Sequence, residues 1–120
     1  ALKGSPTVVA EPGGRAALVL AGNPGLATGG SGDVLTGLAG SLLAQGVEPP
    51  LAARAAPLLH ALAADWAAAD RGERGLTPSD LFAYLPLVVR ELSAGRGRAL
   101  LARLDHPRAA LLTAGDGGLP

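Results

Sequence analysis

Four small residues in a row, Gly29-Gly30-Ser31-Gly32, lead directly into a carboxylate, Asp33. With so few side chains in the way, backbone N–H groups in such a run can approach a ligand closely. The residues that follow are apolar at helical spacing, so the run opens onto a helix start. Unpaired N–H groups and the macrodipole favour an anion there. Two kinds of chemistry are open to the acid: it caps the helix, as Asp often does, or it acts as a base beside a bound phosphate. A second polar cluster, Lys3-Gly4-Ser5-Pro6-Thr7, offers an ammonium, hydroxyls and backbone donors suited to a phosphate or ribose. Its plainer reading is an exposed turn with a solvated lysine. Nine of the ten basic residues are Arg, which leaves Lys3 as the single lysine.

The surrounding pattern outlines the scaffold that must hold these groups. Gly4 and Pro6 punctuate the first turn, and Thr7–Ala10 reads as a short strand rich in β-branched residues. Glu11-Pro12-Gly13-Gly14 is a hairpin turn, with Arg15–Leu20 as the partner strand. The helix after the glycine run is predicted from about Asp33 to Ala44, with Val34, Leu35, Leu38, Leu42 and Leu43 on one buried face. Gly37 and Gly40 each cost roughly 1 kcal/mol against Ala inside a helix, tolerable where the backbone packs close against a neighbour. This helix is therefore expected to be central and dry, with its amino end facing a cleft and Gly46 as its stop.

A second helix is predicted over Leu51–Asp70, opened by Pro49-Pro50, with Leu58, Leu59, Leu62, Ala63 and Trp66 as its inner stripe. Pro57 is expected to kink it or delay its start. His60 reads as a half-buried, hydrogen-bonded histidine, and lies five residues from Asp65, a poor spacing for a metal pair on one helix face. Thr77-Pro78-Ser79-Asp80 marks a capped helix start. Leu81, Phe82 and Leu85 should pack inward before Pro86 interrupts, leaving a separate short helix over Leu87–Ser93. Further on, Ala99–Leu104 suits a helix, Ala109–Thr113 a strand, and Gly115–Gly118 a frayed end.

Composition excludes several function classes. Ten basic residues balance ten acidic ones with no block of one sign, which leaves no electrostatic footprint for nucleic acid or an anionic membrane. Cysteine is absent, so disulfides, thiol catalysis and Cys-ligated metals are excluded. No uninterrupted apolar run is long enough to span a bilayer. The expected setting is the cytoplasm, with no nucleic-acid partner and no membrane. A chain of 120 residues can form one small domain, but the lack of Met and the strand-like opening Ala1-Leu2-Lys3-Gly4 read as a segment of something longer.

Taken together, the KGSPT turn, the paired short strands, ATGGSGDVLTGLAGSLLAQG, the helix carrying His60 and Asp65, and the LTPSDL helix start resemble one family. It is the ADP- or ATP-dependent NAD(P)H-hydrate dehydratase family of the ribokinase-like superfamily, in its C-terminal part, and the likeness runs from about Leu2 to Leu92. The resemblance implies an α/β fold: the C-terminal part of a three-layer α/β/α domain, with a short β-hairpin followed by several helices. Residues 1–95 would form this part, with 96–120 a tail of unknown role. The implied activity is repair of hydrated NADH or NADPH. ADP or ATP phosphorylates the ring hydroxyl, with Mg2+ as cofactor, and phosphate then leaves. Asp33 would be the catalytic base and contact the hydrate. Gly30, Ser31 and Gly32 would form the anion hole, and Lys3, Gly4, Ser5, Pro6, Thr7 and Gly32 would bind the nucleotide. No metal-ligating residue of the chain is assigned, and a homo-oligomer is expected. The resemblance also implies that an amino-terminal half supplies much of the sheet and part of the substrate pocket. The rival readings are another ribokinase-like small-molecule kinase and a non-catalytic nucleotide-binding module. Against the sugar kinases, whose pattern reads DTTGAGD with an aromatic two residues past the acid, this chain has Leu35.

Overall fold

The computed structural model describes residues 1–97 and 111–114. Strands β1 (Thr7–Ala10) and β2 (Ala16–Val19) form an antiparallel hairpin in which Thr7 faces Val19 and Ala10 faces Ala16. The Glu11–Arg15 turn closes it through an N–H···O bond from Glu11 to Arg15 at 2.9 Å. A third strand, β3 (Leu111–Ala114), pairs antiparallel on the other side of β2, giving the order β1-β2-β3. The predicted hairpin is present, and the strand expected over Ala109–Thr113 is found one residue beyond that range at its end. The helix expected over Ala99–Leu104 and the glycine-rich end over Gly115–Gly118 lie outside the described residues.

Three helices follow the hairpin: α1 (Ser31–Ala44), α2 (Pro49–Arg71) and α3 (Leu81–Ser93). Helix α2 packs on the sheet and on both other helices. From Leu59 to Ala64 every residue is buried, because the Ala-rich sequence lets neighbours approach from all sides. Leu59, Leu62 and Ala63 of the expected stripe are buried, while Leu58 and Trp66 remain half-buried. The centre of the fold is thus α2. Helix α1, expected to be dry, buries only Ser31 and leaves Leu43 exposed. Nothing stands within 4 Å of a Cβ added at Gly37 or Gly40, so close packing does not explain either glycine among the described residues. Among the described residues, α1 packs chiefly on α2.

The two internal prolines act differently from expectation. Pro57 lies inside α2 without delaying its start, and α3 runs unbroken through Pro86. Pro86 sits on the exposed side of α3, where water can hydrate the carbonyl it leaves unpaired. Leu81 packs inward as predicted, but Phe82 is 61% exposed and Leu85 half-buried, while Tyr84 and Val88 fill the core. Two helix ends match their signals. Gly46, at φ +82°, donates to Leu43 and Val47 donates to Leu42, the paired bonds of a Schellman stop. The Asp80 carboxylate accepts from the Thr77 N–H at 2.8 Å and the Thr77 hydroxyl at 2.7 Å, closing a short 3-10 turn over Pro78–Asp80 that leads into α3.

Candidate functional site

The site is assembled at the amino end of α1. Gly30 is the residue that caps this helix, in a left-handed conformation at φ +91° that an L side chain rarely adopts. A Cβ there would also stand 3.2 Å from Pro78 Cγ, so the turn before α3 walls one side of the glycine run. That wall is itself braced: Arg71 Nη1 donates to Asp80 Oδ1 at 2.7 Å, and the Tyr84 hydroxyl donates to Asp70 at 2.5 Å. The Thr77 N–H and hydroxyl, assisted by Arg71, hold the Asp80 carboxyl below the usual carboxylate range.

Asp33 is the third residue of α1 and is exposed. The capping position itself is held by Gly30. Asp33 lines an open groove of about 330 Å³ between α1 and α3, together with Val34, Gly37, Leu38, Phe82 and Leu85. An acidic residue thus borders an apolar cleft wide enough to admit part of an organic ligand.

On the opposite side of the helix start, a Cβ added at Gly32 would stand 3.6 Å from Lys3 Nζ. The first turn of the chain therefore places its ammonium beside Gly32 at the start of α1. Leu2 and Val8 exchange backbone bonds at 2.7 and 2.9 Å, which closes the Lys3–Thr7 turn, and the Thr7 hydroxyl donates to the Gly4 carbonyl at 3.2 Å. Gly4, Ser5 and Pro6 are exposed on that turn. Of the residues expected at the site, Lys3, Gly30, Gly32 and Asp33 thus gather around one helix end. Ser31, expected in the anion hole, is 1% exposed. Its side chain is directed into the protein, and its backbone is engaged as well, the N–H donating to the Thr28 carbonyl at 3.3 Å and the carbonyl accepting from His60.

His60 explains that burial. It is 3% exposed, deeper than the half-buried position its sequence context suggested, and its Nε2 lies 2.9 Å from the Ser31 carbonyl and 3.4 Å from Ser31 Oγ. A carbonyl only accepts, so Nε2 carries the proton. Burial pushes the His60 pKa below its ordinary value, opposed by the bond to Ser31 and helped by the Lys3 charge. Three further residues near the site were not anticipated there. Asp65 on α2 accepts from the Gly22 N–H at 2.8 Å and from Asn23 Nδ2 at 2.9 Å, and Asn23 Oδ1 accepts from the Gly25 N–H at 3.0 Å. The third is Pro78. For Asn23 and Asp65 the sequence held a signal: an Asn-Pro-Gly turn, and an acid in the middle of an Ala-rich helix.

A profile of the NAD(P)H-hydrate dehydratase family matches residues 1–87. The chain belongs to this family. Among relatives of the dehydratase family, it is similar to a bifunctional NAD(P)H-hydrate repair enzyme of Moorella thermoacetica. The two are 46% identical over 105 residues, covering 81% of this chain and 20% of the relative. Similar proteins with the same description occur in Thermofilum pendens, at 50% identity over 76% of this chain and 17% of the relative, and in Escherichia coli, at 47% over 73% and 17%. The chain thus spans a fifth or less of the length of these curated relatives. No solved structure matches it.

Proposed function

We propose that this chain carries the phosphoryl-transfer end of an enzyme that restores NADH or NADPH from their hydrates at the expense of ADP or ATP. The observation that carries the reading is the meeting of three groups in a member of this family. They are the Lys3 ammonium, the glycine-rich start of α1, and Asp33 beside an apolar groove. Phosphoryl transfer asks chiefly for positioning and for donors aimed at developing negative charge. Lys3 and the N–H groups of Gly30 and Gly32 serve that need, and the Ser31 N–H joins them by giving up its bond to the Thr28 carbonyl. Gly4, Ser5, Pro6 and Thr7 complete the nucleotide side. Asp33 takes the proton of the hydrate's ring hydroxyl as that oxygen bonds the terminal phosphorus of the nucleotide. With ADP, the bond from that phosphorus to the AMP oxygen breaks. The C–O bond then breaks and phosphate departs with its electron pair. A proton is lost from the adjacent ring carbon, restoring the dihydropyridine.

Magnesium enters this reading with the nucleotide, since Mg2+ is commonly held by one or two carboxylates together with substrate phosphates. No group of three His, Asp or Glu side chains among the described residues could cage it, so no step is routed through it. The same reading places residues 1–95 in a three-layer α/β/α domain; the expected tail, 96–120, is not separate from it, since Leu111–Ala114 pairs with β2 as a strand of the same sheet. It sets the protein in the cytoplasm as a homo-oligomer, and no helix among the described residues is long and apolar enough to cross a membrane. The test is to incubate the intact protein with hydrated NADH, ADP and Mg2+. NADH absorbance should return only when nucleotide is present. Nucleotide binding with no return of absorbance would overturn the enzymatic reading in favour of a binding module.

A further inference from the structure

The segment Gly22–Ser31 leads from the hairpin into α1, and its two ends are held by the same helix. At its start, the Asp65 carboxylate accepts from the Gly22 N–H and from Asn23 Nδ2, and Asn23 in turn accepts from the Gly25 N–H. At its finish, His60 Nε2 donates to the Ser31 carbonyl. Between these anchors the segment lies directly on α2. A Cβ added at Gly22 would stand 3.5 Å from Ala61 Cβ, and one added at Gly25 would collide with Asn23 Oδ1 and Leu76 Cδ2 at 2.8 Å each. The middle is different: Ala27, Thr28, Gly29 and Gly30 are all exposed, and Gly29 has open space where a side chain would be.

We propose that His60 and Asp65 are positioning residues, which fix the two ends of Gly22–Ser31 so that the amides of Gly32 and its neighbours point at the transferred phosphoryl group. This rests on the function proposed above. Neither side chain touches the ligand. Each acts through the backbone it holds. The spacing explains how one helix serves both ends. Five residues separate the anchors by about 7.5 Å along the axis and turn them to different faces. Misplacing reacting groups by about 1 Å is enough to cost roughly a hundredfold in rate.

A donor–acceptor exchange tests the first anchor in the intact protein. Asp65→Asn sets two amide NH2 groups against each other, and turnover should fall roughly tenfold to a hundredfold. Adding Asn23→Asp reverses the pair: the new amide donates to the new carboxylate, and the Gly22 and Gly25 N–H groups keep their acceptors. The double variant should recover to within about threefold of the parent, a rescue that a loss of packing alone would not give. At the other anchor, His60→Gln keeps an N–H for the Ser31 carbonyl and His60→Leu does not, so only the second should lose turnover. Amide hydrogen exchange, followed without any substrate, should show faster exchange at Gly22 and Gly25 in Asp65→Asn and at Ser31 and Asp33 in His60→Leu, and in neither rescue variant. If Asp65→Asn does not fold, the two His60 variants carry the test. Equal turnover and equal exchange across these variants would overturn the proposal. A parent without dehydratase activity whose variants still show the exchange pattern would overturn the proposed reaction while leaving the anchors standing.

Discussion

Helix α2 is buried on all sides from Leu59 to Ala64, whereas α1 beside it buries Ser31 alone. The groups that the proposed reaction needs nonetheless cluster at the start of α1, and α2 supplies what holds them. Asp33 and Gly32 belong to the exposed helix; His60 and Asp65, which grip the backbone leading to them, belong to the buried one. A phosphate site of the kind proposed needs N–H groups within reach of solvent, and such groups cannot lie in a dry core without partners. Rigidity must then be borrowed from a neighbour that is well packed. Here that neighbour is an Ala-rich helix whose small side chains let the loop approach its backbone.

The sharpest way to break this contrast is to hollow the buried helix. Leu62 is fully buried, and Leu62→Ala should cost about 2–5 kcal/mol, read from a chemical denaturation midpoint. A cost near zero would mean that α2 is not the centre of the fold. Next in size is Gly30→Ala. The left-handed backbone at φ +91° alone costs an L residue about 1–2 kcal/mol, and the new Cβ meets Pro78 at 3.2 Å. Stability and nucleotide affinity should fall together. Gly40→Ala should move the other way, raising stability by about 0.5–1 kcal/mol, because the helix gains propensity and the new methyl meets nothing among the described residues. A loss of stability in the intact protein would show that a further segment or a second copy seats on that face of α1.

The smallest effect is the acid response of the buried anchor. Burial lowers the His60 pKa in the folded protein, so below its ordinary value of 6.5 the unfolded chain binds a proton that the folded one refuses. The stability tied to a neutral His60 is therefore complete above that value and declines as the pH falls through it toward the folded pKa. His60→Gln should remove this part of the pH dependence. An unchanged profile in melting experiments from neutral pH down to mildly acidic conditions would place His60 nearer water than the structure does.

Local signals in the sequence were readable because their causes are local. The Glu11–Gly14 turn, the Asp80 cap on Thr77 and the Gly46 stop each depend on residues a few positions apart, and each stands where expected. Which helix would be central was not readable. Leu and Val at helical spacing made α1 look like the core helix, but burial depends on what packs against a face. The alanines of α2, weakly hydrophobic one by one, admit neighbours on every side. Pro57 does not delay the start of α2, and Pro86 was over-read as a break, since on an exposed helix side water can hydrate the carbonyl it frees. The site itself was half legible. The run from Gly30 to Asp33 and the single lysine carried their own signals, and they meet at one helix end. The Asn23–Asp65 pairing spans 42 residues and left only the Asn-Pro-Gly turn and one acid in an apolar stripe as traces.

The claim on which the rest depends is that Asp33 serves the reaction and not the helix. Asp33→Asn keeps the shape and removes the charge at a position where Gly30 already caps α1. In the intact protein, the measurement is nucleotide-dependent return of NADH absorbance from the hydrate, run beside calorimetric binding of ADP. The variant should bind ADP within about threefold of the parent and lose turnover by roughly a hundredfold to ten-thousandfold, the range for removing a general base. Turnover within about twofold of the parent would contradict the account.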